Sequence, residues 1–217
     1  FYAFFVAFSG LTDTQNLYVG FFYWFFASTV ISEGSVSISY EKQVGTFEQL
    51  YLKPTSLLSI LTARTIIWMT ISFIKMILLL PILFIILNIE LQFSFYIIPI
   101  FIITMIGLYG FGLLLSSLTL LYTKTASFES IISYIFLFFT GAIIPTTQFP
   151  EFLTYFSKFI PLSIGIDLSK SAIINGFVDL TEMLFLLINS LVYLLLGLFF
   201  YYYVIKKAKK MGLSSKY

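Results

Sequence analysis

Two charged residues, Glu33 and Lys75, lie inside otherwise apolar stretches of this sequence. A charge at membrane depth is costly, so such residues mark ion pathways, buried pairs, or long stems that reach back to the interface. Glu33 reads either as a functional carboxylate or as a glutamate near the polar end of its helix. Lys75 reads as its partner or as a snorkelling side chain. Other reactive groups are scarce. There is no histidine and no cysteine, which removes imidazole bases, thiolates, disulfides and the commonest zinc ligands. No G-x-x-x-x-G-K-[ST] run is present to cradle phosphates. No carboxylates pair at a spacing suited to acid–base work, and enzymatic activity is poorly supported. The densest polar run is Glu41-Lys-Gln-Val-Gly-Thr-Phe-Glu-Gln-Leu-Tyr-Leu-Lys-Pro54. Within it Val44, Phe47, Leu50 and Tyr51 share one helical face, with Lys42, Gln49 and Lys53 turned away. Pro54 stops the helix, since the residue before a proline avoids the α region. The run therefore predicts a short amphipathic helix over about 41–53, lying at a membrane surface.

The elements that carry these residues are transmembrane helices. Of 217 residues, 59% are hydrophobic, 20% aromatic and only 10% charged. Soluble domains carry about 25% charged residues. With a mean hydropathy of +1.01, the apolar excess must face lipid. At about 20 apolar residues per crossing, the runs predict spans at about 17–39, 63–87, 93–122, 128–144 and 183–205. Period-two alternation is absent, so the fold class is an all-α helical bundle and not a β-barrel. The opening run 1–8 is too short to span and has no basic flank, so it reads as the end of a further helix, making six spans. The whole of 1–217 reads as one transmembrane domain.

Orientation follows from the lysines and the single arginine. Lys206, Lys207, Lys209 and Lys210 form the densest cluster and place the C-terminus in the cytoplasm. Counting back, Lys42, Lys53, Arg64, Lys124 and Lys216 join them, against only Lys158 and Lys170 outside. The net charge of +2 gives no argument for nucleic acid. Richness in Phe, Ile, Tyr and Lys points to an AT-rich coding sequence and a bacterial cell membrane.

Three further stretches stand out. Gly107, Gly110 and Gly112 cluster in the third span, where small residues let helices approach closely. Phe136, Phe138, Phe139 and Gly141 close the fourth span; aromatics there are lipid or interface contacts, or line a substrate path. The connection 145–182 is external, with Pro145, Pro150 and Pro161. It predicts short helices across about 149–176: one over 151–160 with Phe152, Phe156, Phe159 and Ile160 on one side, another over 166–175 ending at Gly176. Asp167, Lys170 and Asn175 make it too polar to span, although it could dip into the outer leaflet.

The run from Glu41 to Pro54 resembles the signature of ABC type-2 transporter permeases, E-(R/K)-x-x-G-T-(L/F)-E-x-L-x-x-(S/T)-P. Glu41, Lys42, Gly45, Thr46, Phe47, Glu48, Leu50 and Pro54 match, and Lys53 departs. Thr140-Gly-Ala-Ile-Ile-Pro145, then Phe149-Pro150, Pro161 and Asp167 through Lys170, resemble the family's S-G-x-x-x-P … P … P … D-x-x-R course, with Thr for Ser and Lys for Arg. The resemblance implies a six-helix permease acting as a dimer, either of two copies or with a homologous permease. Each copy would dock on a cytoplasmic nucleotide-binding ATPase subunit, which would hold ATP and Mg; this chain would bind no cofactor. The matched residues would form the coupling helix, and the external helices would cap the exit path, with Pro145 and the 136–141 aromatics near it. Family substrates are drugs, lipids, glycans, peptides or ions. The aromatic, weakly charged spans favour apolar or amphipathic cargo. Two rivals remain: an ion-coupled transporter or channel using Glu33 and Lys75, and a membrane-embedded lipid enzyme, for which no residue cluster stands out.

Overall fold

The computed structural model describes residues 14–51, 53–87, 93–122 and 128–211. The apolar run 1–8, the loop 123–127 with Lys124, and Lys216 lie outside the described residues. The described chain contains eight α-helices: α1 Thr14–Val44, α2 Phe47–Tyr51, α3 Leu57–Leu87, α4 Ile97–Leu121, α5 Glu129–Phe139, α6 Glu151–Ser157, α7 Pro161–Asn175 and α8 Leu180–Met211. A 3-10 turn, Thr146–Gln148, stands before α6. Among the described residues there is no strand.

Among the described residues, three stretches are long and apolar enough to cross a membrane: Leu57–Leu79 in α3, all of α4, and Leu180–Lys207 in α8. α1 has the length, with 31 residues, about 46 Å at 1.5 Å per residue. Its serines, threonines, Glu33 and Glu41 dilute its hydropathy, and neighbouring helices cover those groups.

The predicted span 128–144 is helical only over the 11 residues of α5, about 16 Å against a hydrocarbon core of about 30 Å. The helix stops because Gly141 takes the left-handed conformation (φ 81°). The chain then runs through buried Ala142 and Ile143 to Pro145. Irregular backbone at this depth is tolerated where protein covers it. Downstream, α7 begins at Pro161 rather than near 166, with proline in its first turn and Gly176 as a left-handed C-cap (φ 75°), as the glycine predicts. The predicted helix over 151–160 is shorter, ending at Ser157.

α4 is the central element and packs on α8, α1 and α7. The glycines make this possible. A Cβ on Gly110 would stand 2.4 Å from the Tyr193 carbonyl oxygen, and one on Gly112 2.8 Å from that of Val30. The close-packing reading of the glycine cluster therefore holds. At the α7 end, Tyr23, Phe26, Ile100, Phe101, Leu162 and Ile166 form the core, and the Tyr23 hydroxyl meets Ser169 Oγ at 2.6 Å. At the α2 end a second core gathers Ile38, Phe47, Leu50, Leu61, Leu120 and Tyr201.

Candidate functional site

The polar run ending at Pro54 is not one helix. Glu41 to Val44 form the last turn of α1, and Gly45 breaks it with φ 77°. Only glycine takes that conformation without steric cost, and the turn is sealed by Gly45 N–H to Lys42 O at 3.2 Å and Thr46 N–H to Glu41 O at 2.9 Å. α2 then starts at Phe47. The predicted helix over 41–53 is thus replaced by a helix end, a tight turn and a five-residue helix.

This break divides the motif residues into two sets. Phe47 (1% exposed) and Leu50 (6%) are buried against α1, α3, α4 and α8, whereas Val44 (55%) is exposed. The expected shared face therefore holds for Phe47 and Leu50 and fails for Val44, because the turn at Gly45 rotates α2 relative to α1. Glu48, Gln49, Lys53 and Pro54 are exposed.

Lys42, expected to face away, is half-buried. Its Nζ donates to the carbonyls of Thr119 at 3.0 Å and Leu120 at 2.7 Å, and stands 5.7 Å from the Phe47 ring. Those carbonyls belong to the last turn of α4, which has no helical partners for them and carries the negative end of the helix dipole. Burial pushes the Lys42 ammonium below its usual range.

Glu41 accepts from the Thr46 hydroxyl through one oxygen and from Arg64 Nη2, at 2.7 Å, through the other. The Thr46 hydrogen bond, then that of Arg64, holds its carboxyl below the usual carboxylate range. Arg64 Nη1 also donates to Ser37 Oγ.

Arg64 belongs to a polar seam between α1 and α3. Thr29 Oγ1 meets Ser72 Oγ at 3.2 Å, and the Glu33 carboxylate faces Trp68 and the charge of Arg64. Thr29, Glu33, Ser37 and Glu41 recur every fourth residue, as do Arg64, Trp68 and Ser72, so each set forms one helical stripe. The two stripes meet antiparallel. Lys75 does not join Glu33 directly: its Nζ lies 5.9 Å from the Trp68 ring centroid, a cation–π contact.

At the other end of the bundle, the turn after α5 is tied to α7. Lys170 Nζ donates to Gly141 O at 2.7 Å, and the Thr146 hydroxyl donates to Asp167 Oδ2 at 2.9 Å. Burial raises the Asp167 carboxyl, with Thr146 and Lys170 opposing, and lowers the Lys170 ammonium to about 8. Phe136 is buried, with its ring centroid 5.2 Å from that of Phe111, while Phe138 and Phe139 are exposed. The structure therefore does not bring the three phenylalanines to one surface. Gly141 is buried and Pro145 half-buried beside them.

An apolar cavity of 880 Å³ opens between α3 and α4. Phe22 of α1, Met69 and Phe73 of α3, and Phe101, Met105 and Tyr109 of α4 are among its walls. Among the described residues, no three acidic side chains gather to hold a metal ion.

Reasoning from sequence missed Arg64, Ser37 and Trp68 as members of the site. The four-residue polar spacing on both helices carried that signal. No curated protein matches the chain. The model of the ABC-2 family transporter proteins matches it over residues 2–199. That is nearly the whole sequence, including both motif regions, and the chain belongs to the ABC-2 family of transporter membrane proteins.

Proposed function

We propose that this chain is the membrane-spanning subunit of an ATP-driven exporter in a bacterial cell membrane. It forms the substrate path as a dimer and docks through α2 onto a separate cytoplasmic ATPase subunit, which holds ATP and Mg. The observation that carries this reading is the division of the Glu41–Pro54 run. Phe47 and Leu50 root α2 in the bundle, and Glu48, Gln49, Lys53 and Pro54 are left exposed. A short helix fixed to four spans and polar on its free side suits a surface that receives a push from a partner and passes it inward. The exposed pair Phe138 and Phe139, with Gly141 and Pro145, is the stretch we assign to the path, with Phe136 supporting it from behind. The C-terminal lysines support an orientation with the α2 end inside the cell.

The test is reconstitution. The chain in vesicles is expected to be inert alone. Co-expression is expected to yield a complex with a subunit carrying a phosphate-binding loop, whose ATP turnover changes when the chain is present. Transport by the chain alone under an ion gradient, lost on Glu33→Gln or Lys75→Met, would instead establish an ion-coupled transporter.

A further inference from the structure

The adjacent side chains of Glu41 and Lys42 leave the end of α1 in different directions and reach different spans. Glu41 is bonded on one side to Thr46, at the start of α2, and on the other to Arg64, two turns into α3. Lys42 crosses to α4 and takes two carbonyls of its last turn. Between the arms, Phe47 is buried under the Lys42 ammonium. The last turn of α1 and the turn into α2 are therefore tied to the start of α3 through Glu41 and to the end of α4 through Lys42, with α2 joined to them by Thr46 and the Phe47 ring. Charge-assisted hydrogen bonds are the stronger and more directional kind, and both arms are built from them.

We propose that Glu41 and Lys42 form a two-armed yoke that divides the displacement of α2 between two spans. Glu41 drives α3 through Arg64, and Lys42 drives α4 through the Thr119 and Leu120 carbonyls. Both, with Arg64, are positioning residues: they act through other groups and touch no substrate. The two arms are separable, because α3 packs chiefly on α1 and α4 chiefly on α8 and α1. Losing one arm uncouples one span and leaves the other driven.

This inference rests on the exporter reading, and the experiment separates the two. The complex of the chain with its ATPase subunit, in lipid nanodiscs, is followed by hydrogen exchange with and without ATP plus vanadate. Two regions are read: 57–64 at the start of α3 and 115–121 at the end of α4. In the wild type, nucleotide is expected to change exchange in both. In Lys42→Met, the nucleotide-dependent difference at 115–121 is expected to vanish while that at 57–64 persists. Arg64→Met is expected to do the reverse. Lys42→Arg and Arg64→Lys, which keep a cation at each position, are expected to retain both differences. If a methionine variant does not assemble, Lys42→Gln and Glu41→Gln read the same arms with nearly the same shape. Variants that keep the ATPase bound but lose both differences together, or neither, overturn the yoke. Failure of the wild-type chain to bind any ATPase overturns the exporter reading itself.

Discussion

Gly110 and Gly197 meet face to face where α4 crosses α8. A Cβ placed on Gly197 would stand 2.2 Å from the Gly110 carbonyl oxygen. The obstacle is backbone, so no rotamer change can relieve it. Gly197→Ala is expected to force the two helices apart and to cost about 1–3 kcal/mol, the usual range for overpacking. The check is the midpoint of thermal unfolding in detergent, which should fall clearly below the wild-type value. An unchanged midpoint would mean that the helices do not cross at this point.

The Lys170–Gly141 contact gives stability a pH dependence. Burial holds the folded-state pKa of Lys170 at about 8, below its ordinary 10.5. Between those values the unfolded chain binds the proton and the folded chain releases it, so stability rises with pH across that window. Below about 8 the cost of the buried charge is present in full. Asp167, raised by burial, has the opposite slope at lower pH, above its ordinary 3.8. Thermal midpoints from pH 7 to 10.5 should climb more in the wild type than in Lys170→Met. Parallel profiles would show that the amine is not the titrating group.

Glu48 and Gly45 separate coupling from folding. Glu48 is exposed, and surface substitutions of this kind stay within about 0.5 kcal/mol. Glu48→Ala should therefore leave the thermal midpoint in place while abolishing the response of the partner ATPase. Gly45→Pro cannot adopt φ 77° and loses the hydrogen bond to Lys42 O, so it should misorient α2 and uncouple in the same way. Full ATPase response in both variants would count against α2 as the docking element.

Trp68 stands beside the Glu33 carboxylate across the seam between α1 and α3. Trp68→Phe keeps a ring for Lys75 but removes the indole N–H that stands beside a half-buried carboxylate. The expected loss is about 1–3 kcal/mol. Adding Glu33→Gln should recover part of it, since a neutral amide is less costly to leave under-satisfied at that depth. A double-mutant cycle in detergent measures the coupling, and simple additivity would argue that the two side chains do not interact.

Helix content and most helix positions were legible from apolar run length, because lipid imposes that length. The glycine packing in α4 was legible too, since small residues at helical spacing have few other uses in a membrane. Two features were not. The expected span at 128–144 failed because composition does not reveal that Gly141 takes a left-handed turn and that protein covers the irregular backbone after it. The Glu41–Pro54 run was misread as one amphipathic helix, because a helical wheel carried across Gly45 assumes a backbone that continues. Lys42 was assigned to the wrong side for the same reason. Glu33 stands out in the sequence as a charge in an apolar run, but the groups facing it lie in the four-residue rhythm of another helix, which shows only once the two helices are placed side by side.

The cavity between α3 and α4 has a mechanical consequence. α1, α4, α7 and α8 interlock, whereas α3 leans on α1 and meets α4 through few groups, the Thr62–Tyr109 hydroxyl contact at 2.5 Å among them. How far α3 stands from the block is then governed as much by what fills the gap as by protein contacts. The walls of the gap are apolar, the chemistry that acyl tails fill in a bilayer core. The resting state of this subunit should therefore respond to bilayer thickness and tail saturation, with thicker or more ordered membranes resetting the distance of α3 from the α1–α4–α7–α8 block.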